Sequence, residues 1–349
     1  DYVSPAVVDV FTNIMTEQRP LFVNRLGGCD FDIVINYINN PERYAGFTFP
    51  KSVAEVLMGL FGKKTAFERD IEKVRNYTGY FDFEDRRENF IKYIEITKNN
   101  YVTSEYYTYG GGRLITEFEN ESFGDDFEFL KRILLNKTLI HYSFLEAVLP
   151  FLNSFKVWGS SKKILIISPF SKSITYQYKR RDKLIKGYAF PNFELLTYTS
   201  PLTYNSPGDS KASLGLNTDN WHEECRRINS EISDLDFDIA FLSCASYASP
   251  IGTHVRSMGK KAIYIGGILN VIFNIYYGRY DTPFFNSLVN LDYQIDPFEN
   301  EIIKNITAGR RNPNEAINAY FGQRKNGNVE ELHTESQVED LQRDNSSHL

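Results

Sequence analysis

The sequence has few cysteines, and their spacing does not suggest a metal site. Cys29, Cys225 and Cys244 are its three cysteines, and none of them belongs to a Cys-x-x-Cys motif. A thiolate zinc site and a disulfide framework are therefore not expected. This cysteine usage favours a reducing compartment over an oxidising one.

Long apolar runs and an excess of positive charge are also missing. No apolar run approaches the roughly 18 residues needed to cross a membrane. The first residues lack the charged region, the apolar core and the small-residue cleavage site that make up a signal peptide. The formal net charge is -6, so no global basic field attracts nucleic acid. We therefore expect a cytoplasmic protein with no transmembrane segment and no nucleic-acid partner, whose contact with the inner face of a membrane would be peripheral.

Strand patterns alternate with helix patterns along much of the chain. The run LFVNRL (21–26) is strand-like, and glycines and the helical pattern FDIVINYI follow it. Further strand patterns, each followed by a helix or a loop, cover residues 162–170, 193–198, 237–244 and 260–267. This alternation predicts an α/β fold with a Rossmann-like, doubly wound and mainly parallel sheet that carries helices on both faces.

The same patterns suggest the domain organisation. Residues 1–325 are predicted to form a single domain, with core strands at 21–26 and within 162–280 and a helical insertion at about 50–157. Three glycines at 110–112 separate two β-prone stretches of that insertion, and this pattern fits either a hairpin or a mobile loop. Residues 326–349 are polar and lack aromatic side chains, which predicts a disordered tail.

The first of four candidate loops follows the strand pattern at 21–26. Ligands of doubly wound folds bind outside the carboxyl ends of the strands, and this loop carries Arg25, Gly27, Gly28 and Asp30. Adjacent glycines let backbone amides approach a phosphate closely. Asp30 could ligate a divalent cation or act as a general base. A tight turn with Asp30 capping the next helix explains the same residues equally well.

The second loop follows residues 162–170 and is rich in hydroxyl groups. Ser168, Ser171 and Ser173, with Lys172 among them, lie where a helix is predicted to begin. Hydroxyls and a lysine at a helix N-terminus suit an anion. Helix capping by the serines is the simpler interpretation of this loop.

The third loop follows residues 237–244 and consists of small residues around one tyrosine. Ser246 and Tyr247 lie where small neighbours leave room for a ligand, and Ser249-Pro250 is typical of a helix N-cap followed by its first residue. His254 comes one turn later and becomes a catalytic candidate if it faces the same cleft. A structural or solvated role is the usual alternative for a single helical histidine.

The fourth loop contains Gly266 and Gly267, with Asn270 one turn into the helix that follows. These glycines serve either the close approach of a ligand or close packing. Arg25 and Arg279 are candidates for bidentate pairing with phosphate, and pairing with surface carboxylates is the competing explanation. Four such loops at one edge of one sheet predict an acidic or phosphorylated ligand.

Three runs of the sequence resemble a known bacterial family. They are RLGGCDFDIV, KILIISPFSKSITYQYKRR and DFDIAFLSCASYASPIGTHVRSMGKKAIYIGGILNVIFNI. The family is one of glycosyltransferases similar to those of the GT-D fold, which occur in gene clusters for surface polysaccharides and glycoprotein glycans. The matching motifs are residues 168–178, 245–250 and 259–267. The resemblance spans about residues 20–280 and is strongest from 160 to 280.

The resemblance implies transfer of a sugar from a nucleotide sugar, with a UDP-sugar as donor and a glycan or glycoconjugate as acceptor. It also implies a divalent metal, Mn²⁺ or Mg²⁺, held by an Asp-x-Glu motif that falls on Gly28-Cys29-Asp30. Gly28 replaces the first acid, so only Asp30 is left as a metal ligand. Asp30 is the first catalytic candidate, and His254 is the second.

Two other functions are compatible with these residues. One is a transferase that moves a phosphoryl-type or other activated group onto a polysaccharide. The other is a non-catalytic module that binds a nucleotide or a glycan, which the missing carboxylate makes plausible. A dehydrogenase is disfavoured because no complete G-x-G-x-x-G motif follows any strand.

Overall fold

The computed structural model describes residues 5–26, 28–39, 86–109, 138–202, 218 and 220–299. The strands are β1 (Leu21–Leu26), β2 (Tyr106–Tyr109), β3 (Thr138–Ser143), β4 (Lys163–Ser168), β5 (Glu194–Thr199), β6 (Ile239–Leu242) and β7 (Lys261–Tyr264). The helices are α1 (Pro5–Thr16), α2 (Gly28–Asn39), α3 (Arg86–Thr103), α4 (Phe144–Trp158), α5 (Ser171–Tyr178), α6 (Trp221–Ser233), α7 (Ala248–Ser257), α8 (Ile268–Ile272) and α9 (Pro283–Leu288). Short 3₁₀ turns cover Arg181–Lys183, Ala245–Tyr247, Gly278–Tyr280 and Leu291–Tyr293.

The strands form one seven-stranded sheet in the order β3-β2-β1-β7-β6-β4-β5. Every neighbouring pair is parallel. At the centre, Val23 of β1 pairs with Ile263 of β7. The prediction of a Rossmann-like, doubly wound parallel sheet is confirmed. Because all the strands run the same way, all their carboxyl ends lie at one edge of the sheet.

Two apolar layers cover the two faces of this sheet. Alternate residues of each strand join different core clusters: Val23 belongs to one and Phe22 to the other. Helices α1, α4, α5 and α8 pack in the first layer, and α2, α3, α6 and α7 pack in the second. Among the described connections, those that run toward β5 (β3 to β4 and β4 to β5) carry their helices in the first layer. Those that run back toward β3 (β5 to β6 and β6 to β7) carry theirs in the second layer, which is the arrangement that right-handed crossovers produce.

Helix α6 illustrates how the sequence specifies these elements. Asn220 caps it, because its side chain accepts a hydrogen bond of 2.8 Å from the amide of Glu223. Trp221, Cys225 and Ile228 follow at helical spacing and are buried in the second layer. The helix therefore begins at a cap and presents one apolar stripe to the sheet.

The predicted helical insertion at about 50–157 is partly wrong. Residues 106–109 and 138–143 are strands that extend the sheet beyond β1, where Val23 pairs with Tyr106. The YYTY segment of β2 lies in the first of the two β-prone stretches, and its parallel pairing with β1 makes it a strand of the main sheet. The glycines at 110–112 and the predicted tail at 326–349 lie outside the described residues.

Helices α5 and α8 are short, with 8 and 5 residues. Helix α5 stops at Tyr178 and a 3₁₀ turn follows. Helix α8 stops at Ile272, and Asn274 then adopts a left-handed φ of 52°, a conformation in which helices commonly end. Nowhere in the described ranges does a helix combine the length and the apolar character needed to cross a membrane.

Candidate functional site

The carboxyl ends of β1 and β7 lie at the topological switch point of the sheet. The two strands are neighbours, but the helices after them lie on opposite faces: Val34 of α2 belongs to the second layer and Leu269 of α8 to the first. Doubly wound sheets bind their ligands where the chain leaves adjacent strands in opposite directions. We call this place the β1/β7 crevice.

The structure brings the first and fourth predicted loops together in this crevice. Arg25 is half-buried, and its guanidinium carbon lies 5.5 Å from the ring centroid of Tyr264. A Cβ atom on Gly266 would come closer than 3.0 Å to Nη1 of Arg25, nearer than real Cβ atoms approach. Gly266 also has a φ of +71°, which side-chain-bearing residues rarely adopt. Glycine is therefore required here because it adopts this positive φ without strain and because its missing side chain leaves room for Arg25.

Gly267 faces a different neighbour from Gly266. A Cβ on Gly267 would lie 3.2 Å from the hydroxyl oxygen of Tyr280. Arg279 is exposed in the same 3₁₀ turn, and its guanidinium carbon lies 5.9 Å from the Tyr280 ring centroid. Tyr280 thus connects the predicted residue Arg279 with the glycine pair.

Asn270, the remaining predicted residue of the fourth loop, is buried at 1% exposure. Its Oδ1 atom accepts no hydrogen bond from the described part of the chain. A buried acceptor without a donor costs about 1–3 kcal/mol. Asn270 is consequently a candidate for a hydrogen bond from a ligand or a water molecule.

A helix begins two residues after the end of β1. Helix α2 begins at Gly28, so Asp30 is its third residue and lies in the first turn beyond β1. The backbone therefore places Asp30 at the same sheet edge as Arg25. Gly27 and the side chain of Asp30 lie outside what the structure describes, and the role predicted for Asp30 stays a prediction.

Sequence reasoning missed a buried asparagine that supports this edge. Asn24 is fully buried, and its Nδ2 donates to Ser104 at 3.0 Å. Its Oδ1 accepts from Ser249 at 3.0 Å and from the amide of Arg25 at 2.8 Å. Asn24 thereby ties the end of β1 to the residue that follows α3 and to α7. The signal was present as a single amide residue inside the apolar run LFVNRL.

The predicted anion site of the second loop is filled by the protein itself. The carboxylate of Glu299 accepts from the amides of Lys172 and Ser173, at 3.0 and 3.2 Å, and from the Ser173 hydroxyl. Ser173 Oγ also accepts from the amide of Phe298, at 2.9 Å. Burial raises the pKa of the Glu299 carboxyl. Sequence distance concealed Glu299, which comes more than a hundred residues after this loop.

The other serines of the second loop also bond within the protein. Ser168 is fully buried, and its Oγ accepts from the amide of Phe170 at 3.2 Å. Ser171 bonds to the hydroxyl of Thr199. Phe170 is the N-cap residue of α5 and provides no side-chain cap. The structure therefore contradicts both the open anion site and conventional capping by these serines.

The third loop also serves packing. Ser246 is buried and accepts a 3.1 Å hydrogen bond from Nε1 of Trp221, while Tyr247 is fully buried. Both side chains are therefore engaged within the protein in this arrangement, and the ligand contacts predicted for them stay a prediction. Helix α7 begins at Ala248, so Ser249 is its second residue and not its N-cap. Ser249 is used to bind Asn24.

His254 does not face the predicted cleft. It lies in the second half of α7, and its Nε2 bonds to the hydroxyl of Ser233 at 2.9 Å. Ser233 is the last residue of α6, which leads into the amino end of β6. This places His254 toward the opposite edge of the sheet from Arg25. Burial lowers the pKa of His254, so a pKa shift by itself does not mark a catalytic group here.

The described residues include no group of three or more His, Cys, Asp or Glu that could hold a metal ion. Asp30 is the one metal ligand that the sequence predicted, and its side chain lies outside this set. Comparisons with protein-family models, with curated proteins and with solved structures found no match. The geometry of the β1/β7 crevice is therefore the main structural guide to function.

Proposed function

We propose that this protein is a glycosyltransferase that takes its donor, a nucleotide sugar and most simply a UDP-sugar, into the β1/β7 crevice. The observation that carries the proposal is the contact of Arg25 with Gly266, a positive-φ glycine at the end of the neighbouring strand. It sets a guanidinium at the edge where doubly wound folds bind ligands. The resemblance of residues 20–280 to a glycosyltransferase family supports the choice of ligand.

In this proposal the chain's own residues act mainly on the departing diphosphate. The guanidinium of Arg25 offers two parallel N–H donors, a geometry that matches phosphate oxygens. Negative charge grows on the diphosphate as the glycosidic bond breaks, and a preorganised cation stabilises it more in the transition state than in the ground state. Arg279, exposed beside the same loop, would add a second positive charge.

Asp30 is the proposed base or metal ligand, because it lies in the first turn after β1. Among the described residues no group of three or more His, Cys, Asp or Glu could hold a metal ion, and the proposal assigns no metal ligand besides Asp30. The proposed acceptor is a hydroxyl group of a glycan or glycoconjugate in surface-polysaccharide or glycoprotein-glycan synthesis. Work on such acceptors would place the protein at the inner face of the membrane.

Calorimetric titration tests the donor assignment. The protein should bind UDP or a UDP-sugar and slowly hydrolyse the sugar nucleotide when no acceptor is present. A panel of nucleotides and nucleotide sugars, each titrated with and without Mn²⁺, covers the alternative donors. Binding to no member of the panel would contradict the proposal, and binding without any turnover would favour a non-catalytic module.

The variant Asp30→Ala tests the catalytic assignment. We expect it to abolish sugar transfer and to leave the thermal unfolding midpoint nearly unchanged, since Asp30 is assigned to chemistry. If Asp30 only stabilises the first turn of α2, the variant should instead lose about 0.3–1 kcal/mol of stability and keep its activity. Product analysis and calorimetric unfolding of one preparation separate these outcomes.

A further inference from the structure

The hydroxyl group of Tyr280 reaches the glycine pair that also accommodates Arg25. A Cβ on Gly267 would lie 3.2 Å from the hydroxyl oxygen and 3.4 Å from Cε2 of Tyr280. Gly266 and Gly267 are consecutive, so their Cα atoms are about 3.8 Å apart. A cation and a phenol hydroxyl therefore approach the same two-residue loop, one against each glycine.

The packing of Tyr280 orients its ring so that the hydroxyl end faces this loop. Its ring centroid lies 5.4 Å from that of Tyr277, with a tilt of 40° between the rings. The ring centroids of Tyr280 and Phe285 are 5.5 Å apart, and these two rings meet edge to face. These neighbours occupy the surroundings of the ring, so stacking on a nucleobase is a poor use of Tyr280. Its hydroxyl end is the part directed to Gly267.

We propose that Tyr280 recognises the sugar of the donor by hydrogen bonding to a hydroxyl group of that sugar. This inference rests on the proposed function and adds a residue and a substrate class to the same site. In a nucleoside diphosphate sugar the transferred hexose is attached directly to the diphosphate that Arg25 is assigned to bind. A phenol hydroxyl both donates and accepts hydrogen bonds, and so do the hydroxyl groups of a hexose.

The arrangement also explains why both positions of the loop are glycine. A side chain at residue 266 would displace Arg25, and a side chain at residue 267 would come against Tyr280. The first effect would act on the diphosphate and the second on the sugar. The two glycines leave room for the guanidinium at residue 266 and for the hydroxyl at residue 267.

The variant Tyr280→Phe tests the proposal because it keeps the ring and removes only the hydroxyl. The matched control is Tyr293→Phe, in the 3₁₀ turn Leu291–Tyr293, where the ring packs 5.2 Å from Nζ of Lys183. Calorimetric titrations with UDP, UDP-glucose, UDP-galactose and UDP-N-acetylglucosamine give the dissociation constants. Thermal unfolding verifies that both variants are folded.

We expect Tyr280→Phe to weaken binding of the preferred UDP-hexose by about 2- to 10-fold, the effect of one neutral hydrogen bond. Its affinity for UDP should not change, and Tyr293→Phe should behave as wild type with all four ligands. An equal loss for UDP and UDP-hexose, or no loss for either, overturns the assignment of Tyr280 alone. Failure of the wild-type protein to bind any of the four, or any other nucleotide sugar of the wider panel, overturns the proposed function and this assignment together.

Discussion

Replacing Gly266 by alanine perturbs the proposed site at its best-defined contact. The new Cβ would overlap Nη1 of Arg25, and the backbone would hold alanine at a φ of +71°. The left-handed conformation costs an L-residue roughly 1–2 kcal/mol. The overlap itself adds little to this cost, because Nη1 is the far end of a flexible side chain that can move aside. The principal effect is therefore a displaced guanidinium.

Gly259→Ala is the matched control for this prediction. Gly259 has a φ of +80° and nothing within 4 Å of a Cβ. It therefore shares the backbone penalty but lacks the contact with Arg25. Both variants should lose roughly 1–2 kcal/mol in urea unfolding. Their difference in ligand affinity isolates the position of the guanidinium.

Gly266→Ala should bind a UDP-sugar about 10- to 150-fold more weakly than Gly259→Ala. This range corresponds to the roughly 1.5–3 kcal/mol that a hydrogen bond to a charged group contributes. Calorimetric titration of the two variants and of the wild-type protein measures the ratio. Equal affinities of the two variants would show that Arg25 does not bind the ligand, and the argument for the β1/β7 crevice would fail.

Two further predictions concern the buried polar contacts at this edge. Asn24→Ala should lose about 2–3 kcal/mol of stability in urea unfolding, because it leaves buried hydrogen-bonding partners unsatisfied. Ser249→Ala removes only one of those partners and should lose less. Equal stability of Asn24→Ala and the wild-type protein would contradict the bridging role of Asn24. Glu299→Ala should destabilise the protein, since the amides of Lys172 and Ser173 lose their acceptor, whereas Glu299→Gln should be tolerated.

The pH dependence of Glu299 gives its variants a second readout. Burial raises the pKa of Glu299 above the ordinary value of 4.5, so the folded state favours the protonated form. Its stabilising contribution is fully present below pH 4.5 and is lost as the pH rises through the raised pKa. The stability of wild type relative to Glu299→Gln should therefore fall as the pH rises above 4.5. A constant difference between pH 4 and pH 8 would contradict this.

The sequence patterns predicted the sheet better than they predicted the site. Continuous apolar strands such as 163–168 and the helix that follows strand 21–26 are local signals, and the structure confirms both. Local patterns also brought Arg25, Gly266 and Arg279 into consideration. They could not separate loops that face a ligand from loops that face the protein, as Ser173 and Ser246 show.

The sequence by itself determined the alternation of strands and helices, because periodicity and glycine turns act over a few residues. The tertiary structure alone decided that β1 lies beside β7, that Arg25 meets Gly266, and that Glu299 occupies the second loop. These contacts join residues that are more than a hundred positions apart. They depend on strand order and on which face each helix covers, and no local pattern encodes either.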